Sequence, residues 1–403
     1  MKILVLNAGS SSHKSCLFDL VGNPSEAPDP LWRAALDWTH QQGQVELSAS
    51  GAGESVQQVL SIADQVAGLE AMMKTLVEGP TQVLESLAAI DAVGHRVVHG
   101  GRDYVDSVRV TADVKATIEQ LIPLAPAHNP ANLQGIEAMG HILGDIPQVA
   151  VFDTAFHAHM PEAAATYPGP YAWVEQGIRR YGFHGISHQY VARRAAAMME
   201  RNLADLKLLT CHLGNGCSLA AVKGGISVDT TMGFTPLEGL MMGSRSGSVD
   251  PGILIYLMRQ QGYSADQLDT LLNQESGLKG LSGLSNDMRT VVEAMDQGHA
   301  QARLAVDVFM HRLRREMGAM IASLGGLDAV VFTAGIGENS PLVWQRACEP
   351  FAGLELTLKD DLARAEDDQD IAAAESRVRA LVIHTQEEWA IAQACQSLLR
   401  SVV

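Results

Sequence analysis

Ile3-Leu4-Val5-Leu6 is an apolar run that breaks into Asn7-Ala8-Gly9-Ser10-Ser11-Ser12, after which Lys14 to Leu20 resumes a strand-like pattern. This reads as a hairpin whose tip is built of small, hydrogen-bonding residues. The design recurs at Leu208–Val222, where His212-Leu213-Gly214-Asn215-Gly216-Cys217-Ser218 is the tip and Leu219-Ala220-Ala221-Val222 the return strand. Two copies about half a chain apart predict a duplicated domain, because solenoid repeats recur at far shorter spacing.

A third segment, Leu327–Pro341, reads as a strand (Ala329–Phe332), then a glycine turn, Thr333-Ala334-Gly335-Ile336-Gly337-Glu338-Asn339-Ser340, then a helix. Helical spacing is expected over Ser55–Val77, Asp113–Leu121, Ile186–Asn202 and His299–Leu324. Strands alternating with long helices predict an α/β protein. Gly22–Gly53 is rich in Pro, Gly and polar residues, and reads as an extended insertion at the edge of the first sheet.

The chain has 403 residues, too many for one ordinary core, so two domains are expected. Lys+Arg 29 against Asp+Glu 46 leaves a net charge of −17, which argues against a nucleic-acid binder and against an anionic membrane surface. The five cysteines are scattered without a C-x-x-C pair, the pattern of reduced thiols. The N-terminal run reads as a buried strand and not a signal sequence, and no apolar run approaches the roughly 20 residues of a membrane span. A cytoplasmic protein is the expectation.

Small-residue loops let backbone N–H groups approach a ligand, and serine adds hydroxyls. Three of them, each directly after an apolar strand, fit a bound nucleotide. There is no G-x-x-x-x-G-K-[ST], which excludes a P-loop fold, and no H-R-D or D-F-G, which excludes the protein-kinase scaffold. Arg96 stands beside Val97 and Val98 in a predicted strand, and Arg245 stands among Gly243, Ser244, Ser246 and Gly247. An arginine in glycine-rich surroundings has little packing purpose, and its planar fork suits carboxylate or phosphate oxygens two at a time. A salt bridge to a neighbouring acid is the alternative for each. His184 and His188 have the spacing of a helical zinc pair, but Gly185 stands where H-E-x-x-H needs Glu. His188 therefore reads as a structural hydrogen-bonding residue, and His184 as a phosphate-facing donor.

Taken together, these segments resemble the acetate kinase family. Asn7–Ser12 with Lys14 resembles one of its signatures, and Asp229–Arg245 (DTTMGFTPLEGLMMGSR) the other. Pro123–Asn132 (PLAPAHNPAN), Phe152–His157 (FDTAFH), Arg180–His188 (RYGFHGISH), His212–Gly216, Ser285–Arg289 and Phe332–Ser340 follow in the family's order, so the resemblance runs from residue 2 to about 394. It implies two duplicated actin-like (ribonuclease H-like) α/β domains with a nucleotide cleft between them. The expected division is 1–152, completed by a C-terminal helix 386–403, and 153–385. Departures from the family pattern are His13 for an apolar residue, Ser244 and Ser248 flanking Arg245, Ala127 for a leucine, and His384-Thr385-Gln386-Glu387-Glu388 for P-T-N-E-E.

The resemblance also implies roles. Asn7 and Glu387 would hold Mg²⁺, for which Mn²⁺ could substitute, with Glu388 the alternative ligand. Lys14 and His212, Leu213, Gly214, Asn215 and Gly216 would border the ATP or ADP phosphates. Asp287, Met288 and Arg289, with Gly335, Ile336, Gly337, Glu338 and Asn339, would enclose the adenosine. Arg96 would hold the substrate carboxylate, in a pocket shared with Val98, Ala127, Phe183 and Pro236. His184 and Arg245 would act on the transferring phosphoryl group, and Asp153 would orient an arginine or metal-bound water. Acetate is the expected acceptor, by direct in-line transfer from ATP, in a homodimer. Propionate is the alternative acceptor, and a non-catalytic actin-like ATP-binding module the alternative class.

Overall fold

A computed structural model describes residues 1–9, 12–22, 26–38, 43–62 and 64–400. Ser10 and Ser11 of the first expected tip, and residues 401–403 of the expected last helix, lie outside them. The chain divides into two units, Met1–Ala155 with Gln386–Val403, and Phe156–Thr385. Asp153 thus falls in the first unit.

In the first unit the strands are β1 (Lys2–Ala8), β2 (Ser12–Asp19), β3 (Trp32–Asp37), β4 (Val45–Gly51), β5 (Glu54–Leu60), β6 (Ala92–Val97), β7 (Val108–Arg109) and β8 (Gln148–Phe152). Among the described residues they form one sheet in the order β5-β4-β3-β2-β1-β6-β8-β7. β1 and β2 are the antiparallel hairpin, with Asn7 opposite Lys14, and Gly9 N–H donates to Ser12 C=O at 2.9 Å across the turn. β1 runs parallel to β6, and β6 to β8. Val, Ile and Leu dominate β1 because both of its faces are covered. The helices Gln65–Val77 and Asn129–Leu143 bury Leu69, Met72, Met73, Leu76, Ala138 and Met139 against Leu4, Leu6, Leu17, Trp32 and Leu36. The helix Glu387–Arg400 packs against β1 and β6, where a Cβ on Gly94 would lie 2.6 Å from Cys395 Sγ. Only glycine admits that approach.

The second unit repeats the plan. Its strands are β9 (Lys207–Leu213), β10 (Cys217–Lys223), β11 (Ile226–Thr230), β12 (Ala329–Thr333), β13 (Gln369–Asp370) and β14 (Arg379–Val382), in the order β11-β10-β9-β12-β14-β13. The antiparallel series β11-β10-β9 followed by parallel β12 and β14 matches β3-β2-β1 followed by parallel β6 and β8. Five strands of one unit therefore repeat the connectivity and direction of five in the other. One face of β9, β10, β12 and β14 buries Val191, Ala192, Ala195 and Ala196 of the helix Gly185–Met198.

Three expectations need correction. Ser55–Val77 is not one helix, because β5 ends at Leu60 and the helix begins at Gln65. Val56, Val59 and Leu60 imitate helical spacing, but Gly51 opposite Glu54 closes a tight hairpin with β4. The glycine turn expected between β12 and its helix is itself helical: a short helix, Ala334–Asn339, starts at once, with Ala334 at φ 65°, and a second, Pro341–Cys348, follows. Gly22–Gly53 contains two regular strands, β3 and β4, and β3 is the counterpart of β11.

Candidate active site

In the first unit, three neighbouring parallel strands end together and present polar residues at their carboxyl ends, the usual place for ligands in such sheets. Asn7 comes near the end of β1, Arg96 near the end of β6 and Asp153 just after β8, held by Asp153 N–H donating to Val97 C=O at 2.9 Å. Arg96 Nε donates to both carboxylate oxygens of Asp153 (3.2 and 3.1 Å), Nη2 to Oδ2 (2.5 Å), and Nη1 to Asn7 Oδ1 at 3.3 Å. Glu387, at the first turn of the last helix, lies 3.9 Å from Arg96 Nε. Burial alone would weaken the charge on Arg96, but Asp153 and Glu387 raise its pKa above the ordinary value. The carboxyl of Glu387 is pushed up to about 7, first by burial and then by Asp153 and Glu388, while Arg96 and Lys14 pull it down. Two N–H groups of the guanidinium are not spent on these bonds.

Lys14 is exposed on β2, opposite Asn7. Glu388, which also acts on Glu387 and Arg96, lines with Lys14, Cys16 and Arg33 a trough of about 630 Å³. Val98 is buried beyond β6, its N–H donating to Asn132 Oδ1, and Ala127 is exposed before the helix Asn129–Leu143.

In the second unit the site grows from the β9–β10 hairpin. Leu208, Thr210 and His212 lie opposite Val222, Ala220 and Ser218 on the face against the helix Gly185–Met198, so that face turns from apolar to polar toward the tip. His184 caps that helix in the left-handed conformation, φ 56° and ψ 25°, an uncommon setting for a residue with a side chain. Its ring stacks on His212 with centroids 4.1 Å apart, and its Nδ1 lies 2.9 Å from Ser218 Oγ. His212 Nδ1 lies 2.8 Å from Ser187 Oγ, to which Thr385 Oγ1 donates at 2.9 Å. Phe183 is buried, and its C=O accepts from His157 Nε2.

Arg245 reaches the same place. A Cβ on Gly216 would lie 3.4 Å from the His184 ring and 3.5 Å from Arg245 Nη1. Nη1 donates to Pro236 C=O at 3.1 Å, and no carboxylate among the described residues pairs with this arginine. Burial lowers its pKa, with Cys217 opposing that shift. The salt-bridge alternative thus holds for Arg96 and not for Arg245. Ser244 and Ser248 serve the loop itself: Ser244 Oγ donates to Asn273 C=O, and Gly239 N–H donates to Ser248 Oγ.

Asn215 gathers the remaining loops. Its C=O accepts from Gly243 N–H at 3.0 Å and its Oδ1 from Asn286 Nδ2 at 3.2 Å, so the 212–216 tip, the arginine loop and the 285–289 segment meet. Asp287 caps the helix Met288–Asp296 and pairs with Arg289, whose side chain is 88% exposed. Leu213 is buried, and Glu338 folds back so that its Oε1 accepts from Ala334 N–H and Thr385 N–H. Gly335, Ile336, Gly337 and Asn339 lie on that same short helix. The residues that sequence reasoning passed over are Ser218, Thr210 and Ser187, small polar residues inside apolar patterns with no motif of their own.

A twice-repeated strand–tip–strand plan, with stacked histidines at one tip and a half-buried arginine that has no carboxylate partner among the described residues, defines an actin-like protein built to handle anions. The chain matches the Acetokinase family over residues 2–393, and it belongs to that family. It is 58% identical to the acetate kinase of Rippkaea orientalis over 402 residues (98% of each chain), and 58% identical to that of Nostoc punctiforme over the whole of both. Among solved structures it resembles Porphyromonas gingivalis acetate kinase (TM-score 0.91, 38% identity, 99% of both chains). It also resembles a propionate kinase from Francisella tularensis (TM-score 0.90, 37% identity, 98% and 99%).

Proposed function

We propose that the chain is an acetate kinase, transferring the γ-phosphoryl group of ATP reversibly to acetate to form acetyl phosphate and ADP. The observation that carries this reading is Arg245: a half-buried guanidinium with no carboxylate partner among the described residues, beside His184 and a glycine tip, is short of an anion. Acetate, with a pKa of about 4–5, is already ionised at pH 7 and needs no general base. The difficulty is to bring one anion up to another, so positioning and positive charge do the catalysis and transfer is direct and in line.

In this reading Arg96 takes the acetate carboxylate with its two remaining N–H groups, and Asp153 fixes the plane of its guanidinium. Val98, Phe183 and Pro236 border the acetate methyl group. His184 and Arg245 stabilise the transferring phosphoryl group. Lys14 and His212–Gly216 follow the phosphates, and 287–289 with 335–339 follow the adenosine.

Asn7 and Glu387 are the residues that would hold Mg²⁺, or Mn²⁺ in its place. Both offer oxygen donors, the type these ions prefer, and Glu387 stands with two further carboxylates, Asp153 and Glu388, acting on it. Bound there with the nucleotide, the ion would neutralise charge on the β- and γ-oxygens. Acetate is preferred to propionate because the relatives at 58% identity are named acetate kinases, against 37% for the propionate kinase structure.

We also place the protein in the cytoplasm, since all five cysteines are free and buried. A second copy is proposed to cover the helix Pro251–Gln261, where Ile253, Ile255, Tyr256 and Met258 are 48–57% exposed and no residue is buried. Light scattering tests that pairing. The function itself is tested by a hydroxamate trap with ATP, Mg²⁺ and acetate. Acetohydroxamate is expected, and ATP hydrolysis without it would favour a nucleotide-switched module instead.

A further inference from the structure

We infer that Ser218 and Thr210 fix the tautomer of His184, so that its Nε2 can donate a hydrogen bond to the transferring phosphoryl group only when the ring is an imidazolium. This rests on the role proposed above for His184 and extends it to two positioning residues.

The inference follows a chain of contacts through the face beneath the β9–β10 tip. Thr210 Oγ1 donates to Ala220 C=O at 3.3 Å. His188 Nδ1 lies 2.8 Å from Thr210 Oγ1, His188 Nε2 lies 2.8 Å from Ser218 Oγ, and Ser218 Oγ lies 2.9 Å from His184 Nδ1. Each hydroxyl has one proton to give. Thr210 spends its proton on a carbonyl, which can only accept, so Thr210 must accept from His188 and Nδ1 of His188 carries hydrogen. His188 is fully buried, and burial with His157 and His212 nearby lowers its pKa well below 6.5, so the ring is neutral and its Nε2 is bare. Ser218 therefore donates to that Nε2. Its oxygen is left to accept, and the donor must be His184 Nδ1–H. The opposite polarity would set two oxygens without a shared proton 3.3 Å apart at Thr210 and Ala220.

With Nδ1 committed to Ser218, the neutral His184 ring has only a lone pair at Nε2. A lone pair facing a phosphoryl oxygen repels it, whereas the imidazolium donates a charge-assisted bond. Among the described residues, His212 is stacked on the ring, Arg245 stands across Gly216, His188 is linked through Ser218, and Cys217 lies beside Arg245. The Cys217 thiol is neutral, its pKa pushed up to about 12 chiefly by burial. Arg245 and a cationic His184 repel one another, so the bound triphosphate must draw the proton on. The relay makes the catalytic form of His184 one that the substrate assembles.

The test combines two readouts on the full-length protein. Long-range ¹⁵N–¹H correlation spectra of histidine-labelled enzyme at pH 8.5 report each tautomer directly. Nδ1–H on both His188 and His184 is expected, and Nε2–H on either overturns the inference whether or not the enzyme makes acetyl phosphate. Kinetics are the second readout. Wild-type kcat should fall at alkaline pH as the imidazolium is lost, which reports the ring in the ternary complex. Thr210→Val, close in shape and remote from His184, removes the acceptor and allows the relay to reverse, putting a proton on Nε2 of neutral His184. Its alkaline fall should weaken while KM for acetate and ATP stays within about twofold of wild type. Ser218→Ala should lower kcat about 10–100-fold, as removal of a partner that orients a functional histidine does. Unchanged pH profiles in both variants would reduce Ser218 and Thr210 to packing residues and overturn the proposal.

Discussion

Arg96 and Asp153, 57 residues apart in sequence, are joined by Nε donating to both carboxylate oxygens and Nη2 donating to Oδ2 at 2.5 Å. The pair exists because β6 and β8 run parallel in register, Arg96 opposite Val151. An arginine so fixed has its remaining N–H groups aimed before any ligand arrives. Asp153→Asn keeps the shape but loses the charge and the bidentate lock. A misplacement of about 1 Å can cost about 10²-fold, so kcat/KM for acetate should fall by roughly that factor. Arg96→Ala should act mainly through a raised KM for acetate. An unchanged KM in steady-state assays would remove Arg96 from the carboxylate.

Arg245→Ala should separate activity from stability. A transition-state arginine is worth about 10³–10⁵ in rate, so kcat should collapse. Because Arg245 is half-buried without a carboxylate partner among the described residues, its removal strands no opposite charge, and the melting temperature should hold or rise. Calorimetry alongside kinetics reads both. A large loss of stability would make Arg245 a structural residue.

Gly216→Ala places a methyl group 3.4–3.5 Å from both the His184 ring and Arg245 Nη1. The fold tolerates ordinary van der Waals contact, but the space between the two groups is filled. KM for ATP or kcat should worsen at least about tenfold with the thermal transition unmoved. Normal kinetics would show that the phosphoryl group does not sit there.

His13 is buried against Trp38, ring centroids 4.9 Å apart, and its ring nitrogens make no well-formed hydrogen bond among the described residues, the Gly9 backbone offering a poorly aligned contact. Leaving such a group unsatisfied costs about 1–3 kcal/mol. His13→Leu should therefore raise the melting temperature by a few degrees, about 2–4 °C per kcal/mol for a unit of this size. A lower melting temperature in scanning calorimetry would show that the ring packing outweighs the unmet hydrogen bonds.

Acid should weaken the fold between pH 6.5 and 4. Burial lowers the pKa values of His13, His95, His99 and His157 from 6.5 to about 4. In that window the unfolded chain binds more protons than the folded one, so stability falls as pH falls. This contribution is complete above 6.5 and is lost progressively toward 4. Urea midpoints at pH 7.5 and 5 should differ in that direction, and His13→Leu should narrow the gap. Equal midpoints would contradict the burial of these rings.

Much of this was legible in the chain itself. The two hairpins, the parallel strand at Ala329 and the long helix ending at Leu324 follow from local pattern and turn chemistry, which act over a few residues. β5 was misread because the apolar spacing of Val56, Val59 and Leu60 suits either period, and only cross-strand pairing decides between them. The pairing of Arg96 with Asp153 and the Thr210–His188–Ser218–His184 relay depend on register between strands and on a helix lying over them. No local signal in Thr210 or Ser218 announces it. Arg245 was singled out by its glycine-rich setting, but its lack of a carboxylate partner is a property of the folded loop.

Phosphorus NMR of the enzyme with ATP, Mg²⁺ and acetate measures the proposed transfer most directly. The γ-phosphoryl resonance should disappear as an acyl phosphate resonance and ADP grow in equal amounts, and added acetyl phosphate with ADP should return ATP. Inorganic phosphate as the sole product, with the acetate untouched, would contradict it.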